Sequence, residues 1–556
     1  MSTEERVPVL IIGGGPTGLM LSILLGRAGI ESLLVDRDAG PTDHPQAHVV
    51  NIRSMELFRL LGLDEQIYAE ALPPEAGGHV RIVASMTGHE FADLDIAPSP
   101  ERIGTLMAAT PSRPASCAQD RLEPILAELA RKDGGRIEFA TELVSLDARP
   151  DGAVATLRRA DGERVVRADW VVGCDGAGST TRREVGIAME GPEALARVVG
   201  IYFVADLAKI NEERPSVLFW TLDAEVPGTF ICMDGRERFV FHAPWMDEDV
   251  PFESFDEARC KAILERAIGF DADPEIKSVA PWVMTAQIAE RYREGRVLLA
   301  GDAAHRFPPT GGFGMNTGLQ DAHNLAWKLA AVLDGRAPES LLDTYGEERK
   351  PIAQGNSEWS VRNALNFAPI IGPGAVHQAT RLANGEISLE ALSKEIQTLV
   401  DGEKAHFAAF GRDLGFHYES GALVQDGTAL PERPDEDLDL APNARPGSRA
   451  PHFGLIQGEA LRSSLDFFDG VFTLLATRER AAAWRAAADA QSQSIEVLIV
   501  GEDAADPADV FPTLYGISTG AVLVRPDGHV GWRTAALPSD PDAALGDALR
   551  RILGDA

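Results

Sequence analysis

Three kinds of residue in this chain could act together: glycine clusters ahead of helices, carboxylates just past strands, and a histidine near the amino terminus. The densest run is "GDAAHRFPPTGGFGMNTGLQDAHNLAWKL", from Gly301 to Leu329. Gly311, Gly312 and Gly314 remove three side chains where Leu319, Ala322, Leu325, Ala326 and Leu329 set up a helical stripe. A large flat group can lie against bare backbone there. Amides at a helix start carry partial positive charge, so a group that develops negative charge is favoured. A reduced flavin ring has both properties.

Two other stretches point the same way. "GGGPTG" places Gly13, Gly15 and Gly18 between an apolar strand, Val7 to Ile12, and a helix, Pro16 to Ala28. The missing side chains allow a tight turn and close approach of a pyrophosphate to the helix amides. Asp36 ends the next strand, where a carboxylate can accept hydrogen bonds from a ribose. This spacing fits a dinucleotide without choosing between FAD and NAD. "DGAGSTTR", Asp175 to Arg182, follows the apolar "WVVGC" and suits a loop touching a dinucleotide; alone it would be a common turn with a solvated Arg. Gly301-Asp302 ends "RVLLA", where a carboxylate could hold ribityl hydroxyls or simply close a turn.

In this order and spacing the three stretches resemble the signature of the single-component flavoprotein aromatic hydroxylases, the class A flavin monooxygenases, over nearly the whole chain. The resemblance implies FAD and NADPH (or NADH) as cofactors. It assigns cofactor contacts to Gly13, Gly15, Pro16, Thr17, Gly18, Asp36, Arg37, Gln119, Asp175, Ser179, Arg182, Gly301, Asp302, Pro309, Gly312, Gly314, Met315 and Asn316. The turn "PPTGGFGMN" is then expected along the isoalloxazine, with residues 312 to 316 near its pyrimidine edge. In such enzymes the reduced flavin takes up O2 at C4a, and the hydroperoxide passes its distal oxygen to an electron-rich ring. "HPQAHVVNIRSMELFRLLGL" is similar to the phenol-hydroxylating branch that includes 2-hydroxybiphenyl 3-monooxygenase and 2,4-dichlorophenol 6-monooxygenase. The tail containing "LVRPDGHVGWR" resembles that branch's thioredoxin-like domain, here without a cysteine.

A phenol titrates near pH 10 and an imidazole near 6.5, so a positioned histidine can take the phenolic proton during the reaction. His48 falls where relatives of this branch carry a base; the alternative is a hydrogen-bonded core or loop histidine. Gln46 departs from the Arg common in relatives at its place. Arg53 and Glu56 read as a solvated or structural pair, His305 as packed or bonded to backbone, and His323 as exposed. Gln119 and Arg121 match a helix start that contacts FAD in relatives, or else form a polar helix terminus. Trp220, Phe230 and Phe241 are core or pocket wall, and no metal-ligand spacing is present.

These residues need an α/β scaffold. We expect a Rossmann-type FAD-binding domain in two parts, 1–185 and 286–440, the second carrying a helical segment. A β-rich substrate domain is inserted at 186–285, and a thioredoxin-like domain occupies 441–556. The inserted strands are "VVGIYFVADL", "SVLFWTL", "GTFICM" and "RFVFHAP". With 52 Lys plus Arg against 85 Asp plus Glu, the formal charge of -33 argues against nucleic acid or anionic membrane as partners. Four scattered cysteines, no secretory leader and no long apolar run suggest a cytoplasmic protein. The expected partners are a small aromatic substrate, O2 and NAD(P)H, with a homodimer left open. The expected function is hydroxylation of a phenolic ring ortho to its OH. Alternatives are a monooxygenase tailoring a polyketide or alkaloid, by hydroxylation or Baeyer-Villiger insertion, and a non-catalytic flavin-bound protein that holds an aromatic ligand.

Overall fold

Along the strand Glu5–Ile12, Val9 and Ile11 face one core while Val7, Leu10 and Ile12 face another, so both faces are apolar and the strand can only be central. In the computed structural model, which describes residues 5–247 and 249–554, it sits mid-sheet. Ser32–Val35 and Gly162–Gly173 flank it in parallel, and Arg136–Glu138 and Val297–Leu299 extend the parallel set outward. Helices Pro16–Arg27 and Phe313–Leu333 cover one face; the antiparallel strands Glu142–Arg149 and Gly152–Arg159 cover the other. The chain leaves four of these strands at Gly13, Asp36, Cys174 and Ala300, all at the carboxyl edge, where ligands bind in such sheets.

A second sheet has seven strands in the order Glu275–Met284, Ala196–Val204, Arg238–Pro244, Gly228–Cys232, Leu218–Thr221, His79–Val83 and Glu90–Asp95. The last two lie outside the 186–285 segment in which the β-rich part was expected. His79–Val83 joins because it pairs in parallel with Leu218–Thr221, a long-range partnership invisible to local pattern. Phe203, Phe230, Phe239 and Phe241 pack from one face into a core shared with helices Glu257–Ile268 and Leu389–Asp401. Phe230 and Phe241 are therefore core residues. Trp220 is buried against Phe367, with ring centroids 4.6 Å apart.

The tail forms a four-stranded sheet in the order Ile495–Val500, Phe472–Thr477, Ala521–Val524, Val530–Thr534, with the first pair parallel and the others antiparallel. Its helices Ala481–Asp489 and Pro541–Leu553 share a core with Trp327 and Leu341 of the preceding part. Beside that core lies a buried ion network. Glu348 receives both guanidinium nitrogens of Arg525 (2.8 and 2.9 Å), the Lys328 ammonium (2.9 Å) and the Ala422 amide (2.8 Å). Burial opposes ionisation of Glu348, but Arg525 and Lys328 outweigh it and hold the carboxyl down at about 2. Arg525 also pairs with Asp527, whose carbonyl accepts from Arg53 (3.0 Å). Arg53 and Glu56 are accordingly buried rather than solvated, with Glu56 bridging Arg53, Arg449 and Thr110. His323, expected at the surface, is half-buried beside this network.

A buried charge stripped of its partner is costly. Arg525→Ala should lower unfolding free energy by about 3–5 kcal/mol. Arg266→Ala, which breaks a surface pair with Asp223, should change it by less than about 1 kcal/mol. Urea unfolding of both variants checks this; equal effects would show that the network does not hold the tail in place.

Candidate active site

A cavity of about 1830 Å³ runs from the carboxyl edge of the first sheet to the open face of the second. At its first-sheet end the backbone is crowded. Gly13 has φ +111°, and a Cβ there would overlap the Cys174 carbonyl; one at Gly18 would overlap the Gly13 carbonyl. Helix Pro16–Arg27 begins beside the cavity with no side-chain cap, leaving its first amides for a ligand. Pro16, Thr17 and Gly15 line the wall. Asp36 accepts from the Gly14 amide (2.5 Å) and the Asp38 amide (2.7 Å), and burial raises its carboxyl above the ordinary range. Arg37 is exposed just beyond it. Gln119 lines the cavity and donates to Glu123 (2.7 Å), which also accepts from the Thr42 amide (2.6 Å). Glu123 was missed in the sequence, although its spacing from Gln119 on one helix could have shown the pair.

The loop after Gly173 behaves differently from the expectation. Asp175 accepts from the Ser179 hydroxyl (2.5 Å) and from the Thr181 amide (2.9 Å) and hydroxyl (3.0 Å). The Ser179 oxygen caps the short helix Thr180–Glu184. Arg182 is buried and donates to the Ala303 carbonyl (3.3 Å). Asp175 and Ser179 brace the loop internally, Arg182 ties it to the 301–303 turn, and none of the three is among the residues lining the cavity; Cys174 and Gly176 of the same loop are.

Asp302 opens into the cavity, and among the described residues its carboxylate has no hydrogen-bond partner. The turn holding it is fixed from behind. Asp321 accepts from the Gly301 amide (3.2 Å), from Arg349 (2.8 Å) and from His305 Nε2 (2.6 Å). His305 is thus fully buried and bound to a carboxylate rather than to backbone, with its ring stacked on Phe307 at 4.9 Å. Helix Phe313–Leu333 starts at Gly312 in the left-handed region (φ +71°) without a side-chain cap. Pro309, Gly312, Gly314 and Met315 line the cavity. Asn316 does not: it accepts from the Asn51 amide (3.0 Å) and donates to the carbonyls of Val49 (2.9 Å) and Gly312 (2.6 Å). Its side chain clamps the turn from inside instead of lying along a bound ring. Asn51 in turn donates to Asp413 (2.9 Å), whose carboxyl burial pushes up to about 7. Asn51 and Asp413 carried no sequence signal, because only the fold brings residues 51, 316 and 413 together.

Two uncapped helix starts, a close-approach glycine turn and an unpartnered carboxylate converge on one cavity. That donor set fits FAD: the amides of Gly15, Thr17 and Gly18 would take the pyrophosphate, Asp302 the ribityl hydroxyls and the 309–315 turn the ring, while Asp36, expected at the ribose, is held by the Gly14 and Asp38 amides and is not among the residues lining the cavity.

Beyond the turn the wall is apolar with imidazoles set into it. His48 precedes the strand Val49–Val50, which pairs with Ala115–Ser116, and its Nδ1 lies 2.9 Å from Ser116 Oγ. Burial pushes it down to about 4, so it is neutral and in its base form at pH 7. Behind this wall, and not lining it, His44 Nδ1 lies 2.6 Å from Ser278 Oγ. His242, missed in the sequence, faces the cavity because Phe239 and Phe241 alternate with it toward the core. At the mouth, Met107 is 72% and Leu365 67% exposed.

Residues 6–360 match the family model of an FAD binding domain, and residues 443–556 that of the aromatic-ring hydroxylase C-terminal domain. The chain is 37% identical to aklavinone 12-hydroxylase RdmE of Streptomyces purpurascens, covering 99% of each. It is 36% identical to 4-methyl-5-nitrocatechol 5-monooxygenase of a Burkholderia species, over 99% of this chain and 98% of that one. The structure of the flavin-dependent monooxygenase PieE, solved with FAD and substrate, superposes over all of both chains with a TM-score of 0.92 at 32% identity.

Asp302→Ala removes a charged acceptor, so it should weaken FAD retention by roughly 10- to 100-fold; unchanged FAD affinity would remove Asp302 from the cofactor site. Stability should also depend on pH. Burial holds His48 and His242 at about 4 and His323 and His406 at about 3, against an ordinary 6.5. The unfolded chain binds these protons first. The contribution of these four imidazoles is therefore level above pH 6.5 and falls as pH drops from 6.5 toward 4, outweighing the opposing Asp413, whose carboxyl at about 7 gains stability as pH falls. Thermal melts should show the decline, and His406→Phe, filling a site packed by Phe367 and Phe407, should blunt it.

Proposed function

The chain belongs to the FAD-dependent aromatic-ring hydroxylases, and from that premise we propose that it hydroxylates a polycyclic phenol of the polyketide kind, ortho to the OH, at the expense of NADPH or NADH and O2. The observation that carries this reading is the size and lining of the cavity. A pocket for one drug-sized ligand is about 300–1,000 Å³; this cavity of about 1830 Å³ must hold the flavin as well, and past the flavin turn it continues along an apolar wall. That is room for several fused rings beside a flavin. A single-ring phenol is the second reading, favoured by the similarity to the nitrocatechol monooxygenase.

Bound FAD, once reduced, supplies activated oxygen from O2; the chain's own residues prepare the ring to receive it. With Ser116 Oγ accepting from Nδ1–H, His48 presents the bare Nε2 to a phenolic OH. The Gly312 start of helix Phe313–Leu333, clamped by Asn316, keeps the ring-facing amides in place. Apolar walls exclude water, which strengthens each polar contact inside. We read the tail as thioredoxin-like on the strength of its mixed four-stranded sheet and flanking helices. Cys117, Cys174, Cys232 and Cys260 all lie outside it, so its role is structural.

His48→Ala should keep FAD and still accept hydride, since neither step uses the imidazole. Hydroxylation should fall by roughly 10²- to 10⁴-fold, the usual worth of general-base assistance, with the electrons leaving as hydrogen peroxide. NADPH oxidation, peroxide and product mass measured together on hydroxyanthraquinones and simple phenols test both readings. A variant with the wild-type hydroxylation rate and pH profile would leave His48 a packing residue, and turnover of single-ring phenols alone would replace the polycyclic reading.

A further inference from the structure

His44, His48 and His242 differ in one respect. The first is bonded to Ser278 and the second to Ser116; among the described residues, neither ring nitrogen of His242 has a hydrogen-bond partner. Yet its ring is not loose. It is half-buried on the strand Arg238–Pro244 and set edge-on to Trp282, with centroids 5.6 Å apart. Its neighbours across the two adjoining strands are Gly200 and Thr229, both small. A Cβ on Gly200 would lie 3.6 Å from His242 Cδ2 and 3.7 Å from His44 Nε2, so the imidazole packs edge to backbone on that side. An oriented imidazole facing an apolar cavity with nothing to bond is a recognition group, since a polar group left without a partner there is costly. Burial pushes it down to about 4, and charge on His44 or His48 would oppose its protonation further, so it is neutral at pH 7.

We propose that His242 is a specificity-determining residue that bonds a second oxygen of the substrate, a hydroxyl or carbonyl on a ring remote from the one being hydroxylated. This rests on the polycyclic reading, because a single-ring phenol held at His48 has no such remote ring. A neutral imidazole can donate from one nitrogen and accept at the other, so it serves either oxygen. The residue acts in binding and takes no part in oxygen transfer.

Equilibrium dialysis of the FAD-loaded protein against 1-hydroxyanthraquinone and 1,5-dihydroxyanthraquinone tests it. The wild type should bind the dihydroxy compound roughly ten-fold more tightly, the worth of one buried hydrogen bond. His242→Phe should level the two affinities mainly by weakening the dihydroxy compound, and His242→Asn should restore part of the preference. FAD content and melting temperature show whether each variant is folded; if the Phe variant is not, the Asn variant compared with His242→Leu decides. A preference that survives loss of the imidazole, or is absent from the wild type, overturns the proposal. Hydroxylation is read separately by product mass. Binding without turnover would defeat the polycyclic reading while leaving the contact intact, and failure of both compounds to bind would defeat both.

Discussion

No side chain can stand at residue 13, because the space a Cβ would need is filled by the Cys174 carbonyl. That contact lets the ends of Glu5–Ile12 and Gly162–Gly173 close on each other while the chain turns into helix Pro16–Arg27. A second close approach follows. Gly301 and Gly318 both pack on the Thr17 side chain, where even a methyl group would collide, so the helices Pro16–Arg27 and Phe313–Leu333 lie against each other with both amino ends toward the cavity. The convergence of two partial positive charges on one ligand site is thus a consequence of missing side chains at four or five backbone positions.

Glycine makes such an approach possible but does not make it rigid. Rigidity comes from polar groups hidden behind the surface. Asn316 ties the 312 turn to residues 49–51, Asn51 ties these to Asp413, and Asp321 ties the Gly301 turn to His305 and Arg349. Each tie joins segments far apart in sequence and has little slack, because its atoms are buried and bonded. The catalytic wall is therefore held from the side opposite the ligand. Contacts made by the ligand itself only complete it.

This separation explains how much the sequence disclosed. Glycines, strand-end carboxylates and helix stripes are local, so the cavity's cofactor end could be read from them: Gly15, Asp302 and the 309–315 turn border the cavity, Gly13 and Gly18 make the close approaches beside it, and Asp36 is tied to the amides of residues 14 and 38. Asp175, Ser179, Arg182 and Asn316 were recognised as belonging to the region, yet their side chains hold loops together and do not face the cavity. Type and position do not reveal which way a side chain turns. The strands at 79–95 and the Asn51–Asp413 pair were not legible at all, because their meaning depends on partners more than a hundred residues away, and His242 was not because only the sheet shows which face of its strand meets the cavity. Arg53 and Glu56 are the structural pair that was one of their two readings, but their burial, and that of His323, comes from a tail that is nearly the last part of the chain.

The lowered basicity of His48 constrains the general-base role proposed for it. Between a free phenol near 10 and an imidazole at about 4, complete proton transfer would be uphill by on the order of 8 kcal/mol. Attraction between the resulting charges recovers part of this, about 4 kcal/mol at 4 Å and an effective dielectric of 20. A standing phenolate is therefore a minor species in this cavity. The proton is better moved while the ring attacks oxygen, when the phenolic oxygen turns into a carbonyl and its charge is carried away from the site. A neutral imidazole held by Ser116 is suited to that timing: it is unprotonated at the start, oriented throughout, and charged only as bond formation makes the proton acidic.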